Sequence, residues 1–77
     1  NVDTPIDTGV AMAGEVGLSG EIRPVSRIEQ RISEAQRLGF SRILVPYNNM
    51  SSIDKKNYTI EIVPVRRVAE AVRELFG

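Results

Sequence analysis

The segment GEVGLSGEIRPVSRIEQRISEAQRLGF, residues Gly14–Phe40, decides the fold of this 77-residue chain. Its first part joins short apolar runs through glycines, and its second part repeats apolar residues at the spacing of an α-helix. One apolar stripe follows that helical repeat: Ile28, Ile32, Ala35 and Leu38. The spacing predicts a helix over Arg27–Leu38, and Gly39 supplies the left-handed position that ends it.

The start of this helix carries a recognisable signal at Ser26 and Glu29. A Ser followed three residues later by a Glu matches a capping box, in which each side chain binds a backbone N–H of the other residue. We therefore expect Ser26 to be the N-cap. We expect Glu29 to close the box, where the helix dipole also favours its negative charge.

The rest of the chain predicts four strands and a second helix. The strands are expected over Val10–Val16, Glu21–Val25, Ser41–Pro46 and Tyr58–Val65. A continuous apolar run within the third strand indicates that both of its faces are buried. The last helix is expected from about Val65 to Phe76, with one apolar side: Val65, Val68, Ala69, Val72 and Phe76. The order β-β-α-β-β-α predicts an α/β (α+β) layered fold.

Composition excludes several kinds of chemistry. Ten basic and ten acidic residues cancel, which argues against a strong field over the whole domain. The chain has no Cys and no His, so thiolate chemistry and the commonest general base are absent. No apolar run approaches the ~20 residues of a membrane helix, and no signal peptide is visible, so we expect a cytoplasmic protein without a membrane partner. The opening NVDTP lacks an initiator Met and reads as part of a longer protein.

The segment VAMAGEVGLSGEIRPVSRIEQRISEAQRLGFSRILVP resembles the second half of a Lon-type protease domain. The shared pattern is a strand ending in GE, a turn, a strand ending in Pro, a helix, a Gly and another strand ending in Pro. GEVGLSGEIRPV and the later RLGF are closest to the C-terminal Lon-like domain of the RadA (Sms) family of bacterial DNA-repair ATPases. The resemblance implies that residues 1–77 are the C-terminal part of such a domain, with its first strands and first helix upstream of Asn1.

The same resemblance bears on catalysis at Glu29. Lon-type proteases pair a Ser nucleophile with a Lys base; the Ser belongs upstream of Asn1, and the Lys aligns with Glu29. A carboxylate of ordinary pKa is too weak a base to activate a Ser. We therefore expect no catalytic residue here and a non-proteolytic scaffold, with ATP and zinc sites elsewhere in the parent protein and no cofactor in this part. The alternatives are a fragment of an ATP-dependent Ser-Lys protease, which requires a Lys at position 29, and a free-standing interaction domain.

Other candidate sites are less specific. The remaining nucleophile candidates are Ser19, Ser26, Ser51 and Ser52. None has a His partner, and Lys55 and Lys56 fall in a polar loop, so solvated turn residues are the favoured interpretation. Four acidic residues are candidate metal ligands: Asp3, Asp7, Glu15 and Glu21. Their spacing matches no known metal loop, so we expect no metal site. The glycines form neither a dinucleotide-binding motif nor a P-loop.

Arginine is over-represented, because Lys55 and Lys56 are the only lysines among the ten basic residues. Four arginines surround the first helix and are the predicted DNA contacts: Arg23, Arg27, Arg31 and Arg37. Arginine suits phosphate groups. The alternative is a solvated face with ion pairs such as Arg31–Glu34. No set of aromatic residues accompanies the arginines in the sequence, so base stacking with a single strand is not expected.

The resemblance also implies duplex DNA binding and assembly into a ring in the parent protein. For the isolated chain it predicts self-association as a dimer or larger oligomer. A domain that lacks its first strands leaves a strand edge and an apolar face open, and both favour pairing with another copy.

Overall fold

The computed structural model describes residues 9–76, which form two helices and five strands. In chain order these are β1 (Val10–Met12), β2 (Glu15–Val16), β3 (Ile22–Arg23), α1 (Ile28–Arg37), β4 (Arg42–Pro46), β5 (Glu61–Val65) and α2 (Val68–Phe76). Two 3-10 turns, Tyr47–Ser52 and Lys55–Asn57, lie between β4 and β5. The mixed α/β class predicted from the sequence is confirmed.

The main sheet has three parallel strands in the order β1-β4-β5. The central strand β4 is inaccessible on both faces: Ile43 exposes 2% of its surface, and Leu44 and Val45 expose none. This confirms the expectation that the apolar run is covered on both sides. Parallel strands require such cover because their connections place other elements on the two faces.

Two apolar clusters occupy the two faces of this sheet. On one face α1 packs its buried residues against alternate residues of β4 and β5; this cluster includes Ile28, Ile32, Ala35, Ile43, Val45 and Ile62. On the other face α2 and β3 pack against the intervening residues; this cluster is Ile22, Leu44, Val65 and Ala71. The alternation follows from the two-residue repeat of a strand.

The first predicted strand, Val10–Val16, is two strands in different sheets. β1 pairs with β4, whereas β2 turns away to pair antiparallel with β3. The division falls at Gly14, whose φ of 153° lies in a region that side chains disfavour. A Cβ at Gly14 would lie 3.1 Å from Ile22 and 3.2 Å from Pro46, so glycine also permits the close approach of β3 to the end of β4.

The prediction of α1 is confirmed to within a residue at each end. Gly39 has φ 95°. The Gly39 N–H donates to the Gln36 carbonyl and the Phe40 N–H to the Ala35 carbonyl, each at 3.1 Å, which is the Schellman arrangement. The predicted apolar stripe was wrong only at Leu38, which exposes 63% of its surface beyond the last turn.

The predicted bounds of the last strand and last helix need correction. β5 starts at Glu61 because the Thr59 and Ile60 N–H groups donate to the Gln36 side chain, at 2.7 and 3.1 Å, instead of to a neighbouring strand. α2 starts at Val68 because Val65 still pairs with Pro46 in the sheet.

The predicted apolar side of the last helix is confirmed at Val65 and Val68 and wrong at three exposed residues: Ala69, Val72 and Phe76. Ala71 faces the sheet, with Val68 and Leu75 partly buried beside it. Val72 and Phe76 expose 46% and 66% of their surface. The start of α2 is set by the β2–β3 hairpin, because the Val68 N–H donates to the Gly20 carbonyl at 2.8 Å. Over residues 9–76, no helix is both long enough and apolar enough to span a membrane.

Candidate functional site

The start of α1 does not form the predicted capping box. The N-cap is Arg27, in the left-handed conformation with φ 57° and ψ 42°, and no side chain caps the helix. The Arg27 carbonyl accepts the N–H groups of Gln30 and Arg31 at 3.1 and 3.2 Å. A capping box needs an extended N-cap three residues before the Glu. The left-handed turn at Arg27 shifts the helix start by one residue, so Ser26 is outside the helix and cannot close the box.

Glu29 instead fastens α1 to the loop that precedes β5. Its carboxylate accepts the Asp54 N–H at 2.9 Å. Tyr58 lies beside it, and the pKa of the Tyr58 hydroxyl is raised, first by burial and then by the negative charge of Glu29. Lys55 and Lys56 are exposed, and Glu29 forms no ion pair within residues 9–76. Glu29, which the resemblance aligns with the protease Lys, therefore has a structural contact and no ion-pair partner among residues 9–76.

The other predicted nucleophiles and metal ligands are not brought together. All four candidate serines are exposed: Ser19, Ser26, Ser51 and Ser52. The part of the chain that the structure describes has no group of three or more His, Cys, Asp or Glu side chains placed to hold a metal. Asp3 and Asp7 lie outside the described residues.

Of the two remaining acidic candidates, Glu15 is exposed and Glu21 braces a turn. The Ser19 N–H donates to the Glu21 carboxylate at 3.1 Å. The pKa of Glu21 is lowered, first by a hydrogen bond from its own backbone N–H and then by one from the Arg23 side chain.

The four arginines predicted to contact DNA are all exposed, but the structure divides them into pairs. Arg23 and Arg37 are engaged, because Arg23 pairs with Glu21 at 3.2 Å and Arg37 pairs with Glu34 at 2.5 Å. Arg27 and Arg31 have no carboxylate partner within residues 9–76. The expected Arg31–Glu34 pair is absent because Glu34 turns toward the C-terminal end of α1, where Arg37 lies.

Arg27 and Arg31 line a groove of about 510 Å³ between α1 and the edge strand β1. Its walls also include Met12 and Leu38, which expose 41% and 63% of their surface. We call this surface the α1 groove. It combines apolar side chains with two arginines that have no carboxylate partner among residues 9–76, and its one acid, Glu34, is paired with Arg37. This surface suits either a phosphate backbone or another protein chain.

A second arginine surface was missed by the sequence reasoning. Arg66 lies over Tyr47, with its guanidinium carbon 4.0 Å from the ring centroid. The pair borders a cleft of about 430 Å³, lined by Glu21, Ile22, Arg23, Pro24, Tyr47, Asn48 and Arg66. We call this the carboxyl-end cleft, because Tyr47 directly follows β4 and Arg66 directly follows β5. One aromatic ring therefore does accompany the arginines. The signal that could have predicted this surface is that Tyr47 and Arg66 each directly follow a strand of the parallel sheet.

Comparison with known proteins defines the class first. The chain matches the family described as Lon protease (S16) C-terminal proteolytic domain over residues 1–77, and it belongs to that family. The names of its curated relatives are more specific than the description of the family. The protein of Bacillus subtilis (strain 168) named DNA repair protein RadA is 48% identical over 75 residues, covering 97% of this chain and 16% of that protein. The Streptococcus pneumoniae (strain ATCC BAA-255 / R6) protein of the same name is 42% identical over 75 residues, covering 97% of this chain and 18% of that protein.

A third protein named DNA repair protein RadA, from Listeria monocytogenes serovar 1/2a (strain ATCC BAA-679 / EGD-e), is 43% identical over 72 residues. The match covers 94% of this chain and 16% of that protein. The predicted resemblance to the Lon-like domain of RadA-type proteins is confirmed. The chain spans less than a fifth of the length of these relatives.

Proposed function

We propose that this chain is a non-proteolytic Lon-like scaffold within a RadA-type DNA repair ATPase, where it supports assembly and contacts duplex DNA. The observation that carries the proposal is Glu29. The carboxylate at the protease Lys position accepts the Asp54 N–H and adjoins the Tyr58 hydroxyl. A Ser-Lys mechanism needs a neutral, desolvated amine at that place. Here Glu29 holds α1 to the loop that precedes β5, so its role is structural.

Contact with duplex DNA is assigned to the α1 groove, and to Arg27 and Arg31 in particular. Both guanidinium groups are without a carboxylate partner in the described part of the chain, and Glu34, the acid that also lines the groove, is paired with Arg37. Both are therefore available to a phosphate. Arg27 is also the one non-glycine residue in 9–76 with positive φ. Such a conformation costs about 1–3 kcal/mol and is often retained where it positions a functional side chain.

The DNA contact is tested by titrating a labelled duplex with the full-length protein. Replacing Arg27 and Arg31 together by Ala should weaken binding and reduce the salt-dependence slope by about 0.9 for each lost phosphate contact. Arg37→Ala is the matched control, because Arg37 lies on the same helix but is already paired with Glu34. An unchanged slope in the double variant would remove DNA from the α1 groove and leave subunit contact as its role.

Assembly is assigned to the same edge of the molecule. Within residues 9–76, β1 is an edge strand of the main sheet, and it has exposed apolar side chains at its own Met12 and at Leu38, which lines the same groove. An open edge with adjacent apolar surface favours pairing with another copy. Sedimentation equilibrium of the 77-residue chain should show self-association that Leu38→Lys weakens. Leu18→Lys is the control, because Leu18 is fully exposed on the β2–β3 turn. A monomer at every concentration would contradict this assignment.

The absence of proteolysis is tested with casein as substrate for the full-length protein, with and without ATP. We expect no cleavage. Cleavage that disappears on replacing one Ser would establish the alternative, a Ser-Lys protease with a different base.

A further inference from the structure

We propose that the carboxyl-end cleft binds single-stranded nucleic acid, with a phosphate held by Arg66 and Arg23 and a base stacked on Tyr47. This site is separate from the α1 groove. The cleft and the groove share no lining residue: Tyr47 and Arg66 line the cleft, whereas Arg27 and Arg31 line the groove. Duplex binding at α1 and strand binding at the cleft are therefore independent claims.

The position of the cleft is the first argument. β1, β4 and β5 are parallel, so their carboxyl ends meet at one edge of the sheet. In open α/β sheets, ligands bind in the crevice outside these ends. Tyr47 and Arg66 are the first residues after β4 and β5, and the β2–β3 hairpin, which follows β1, forms the opposing wall with Arg23.

The second argument is the state of Arg66. Its guanidinium stacks on Tyr47, which orients the planar fork of N–H donors before any ligand arrives. No carboxylate forms an ion pair with it among the described residues. Arg23 contributes a second cation to the same cleft, and its bond to Glu21 engages only Nε. The Nη groups of Arg23 form no ion pair among residues 9–76, so they can donate to a phosphate oxygen, an acceptor that guanidinium groups recognise well.

The third argument concerns Tyr47, which distinguishes a nucleic-acid strand from a simple anion. Tyr47 still exposes 45% of its surface although Arg66 lies over its ring. Exposed aromatic rings beside cations form stacking platforms for bases, and each stacked base contributes binding without sequence preference. The neighbouring Asn48 is exposed in the same cleft, where its amide can bind a base edge. Bases of a duplex are already stacked and paired, so this chemistry selects an unpaired strand.

The affinity test uses the full-length protein and a fluorescein-labelled oligothymidylate, followed by anisotropy. Tyr47→Leu should weaken binding roughly tenfold, whereas Tyr47→Phe should retain it because the stacking face is kept. Arg66→Gln should weaken binding and reduce the salt slope by about 0.7, the single-strand value for one phosphate. Arg73→Gln is the matched control, since Arg73 is an exposed arginine of α2 outside the cleft. Unchanged affinity in both Tyr47→Leu and Arg66→Gln would overturn the proposal.

A second measurement needs no variant and reports position directly. The oligonucleotide carries 5-iododeoxyuridine, is irradiated in complex with wild-type protein, and the linked peptides are mapped by mass spectrometry. A crosslink at Tyr47 supports the stacked base; linkage confined to other regions of the protein overturns it. Competition with thymidine monophosphate and with inorganic phosphate tests whether the cleft recognises a nucleic-acid strand or a small phosphorylated ligand. If either competes as well as the strand does, the strand assignment is wrong and the cleft is a site for a small phosphorylated ligand.

The two DNA claims fail separately. If only the Arg27 and Arg31 double variant loses affinity, and only for duplex, the cleft proposal fails and the proposed function stands. If only the cleft variants lose strand binding, the cleft proposal stands and duplex contact must be sought elsewhere.

Discussion

The two helices cover opposite faces of one small sheet, but they do so to very different depths. α1 buries Ile28, Ile32 and Ala35, and Ile32 is wholly inaccessible. α2 buries only Ala71. The free energy gained by burial scales with the apolar area removed from water. The face under α1 therefore supplies most of the stability of this fold, while α2 is a thin cover that the hairpin supplements with Ile22.

The polar contacts of the two helices differ in the same way as their buried areas. On the α1 side, partly buried bonds tie α1 and the turn before it to other segments: Asn49 to Val25 and Gln36 to Ile60. α2 is held by exposed contacts, such as Arg42 to Glu74 at 3.3 Å. Exposed ion pairs contribute only about 0–1 kcal/mol. A helix with little buried area and weak contacts is the part of the molecule most easily displaced.

The largest expected difference comes from truncating one apolar residue on each helix. Ile32→Ala should lower the free energy of unfolding by about 2–5 kcal/mol, because it leaves a cavity in a closed core. Val72→Ala should change it by less than about 0.5 kcal/mol, since Val72 is largely exposed. Equilibrium unfolding in urea measures both. Similar losses for the two variants would mean that α2 is buried against something, such as another copy of the chain.

A smaller effect is expected at the turn that leads into α1. Asn49 exposes 6% of its surface, accepts the Val25 N–H at 2.9 Å and donates to the Val25 carbonyl at 3.0 Å. Asn49→Ala leaves both backbone groups without their partner, so we expect a loss of about 1–3 kcal/mol. The neighbouring Asn48→Ala is the control, since Asn48 is exposed. Equal losses would show that the Asn49 bonds are replaced by water.

The contrast between the helices also explains what the sequence could predict. α1 follows the helical repeat with aliphatic residues on one side, and its Gly39 termination uses only local geometry, so both are readable from residue order. In α2 the small Ala71 faces the sheet while the larger Val72 and Phe76 do not. A hydrophobicity pattern weights large residues, so beyond Val68 it placed Val72 and Phe76 on the buried side in place of Ala71.

The remaining errors share a cause, which is contact between residues far apart in the chain. The Gln36 side chain takes the N–H groups that would have extended β5. The left-handed turn at Arg27, which displaces the capping box, is flanked by long-range bonds from Asn49 to Val25 and from Asp54 to Glu29. The pairing of Tyr47 with Arg66 joins the ends of two strands. Propensity and spacing describe local preference, and tertiary contacts override it at these positions.

The start of α1 offers a test of that override. A capping box predicts a loss of about 0.5–2 kcal/mol for Ser26→Ala. The structure predicts less than about 0.5 kcal/mol, because Ser26 makes no cap bond. Glu29→Ala should cost about 0.5–1.5 kcal/mol through loss of the bond from the Asp54 N–H, and Glu29→Gln should cost less since Gln keeps an acceptor. A larger loss for Ser26→Ala than for Glu29→Ala, in urea unfolding, would restore the capping box.

On the α1 side, an alkaline titration is expected from Tyr58. Its folded pKa is raised above the ordinary 10.0, first by burial. The folded state therefore holds this proton more tightly than the unfolded state. The associated stability is complete below pH 10.0 and is lost as pH rises through the folded pKa. The difference in unfolding free energy between wild type and Tyr58→Phe should shrink over that range. A constant difference would show that Tyr58 is equally free to ionise in both states.

On the α2 side, the corresponding change in stability is expected at acidic pH, and the group that titrates is the Glu70 carboxyl. Its carboxylate accepts the Arg66 N–H at 2.5 Å, and this bond is the main cause that lowers its pKa from the ordinary 4.5. A lowered folded pKa means that the unfolded state binds the proton more readily, so the contribution is present above pH 4.5 and is lost as pH falls through the folded pKa. Because the Glu70 carboxylate is exposed, we expect its effect on the free energy of unfolding to be the smallest of those predicted here. Wild type should lose more stability than Glu70→Gln over this acid range, measured by urea unfolding at stepped pH. Carboxyl NMR gives the Glu70 titration directly, and a midpoint at or above 4.5 would mean that the bond at the start of α2 does not persist in solution.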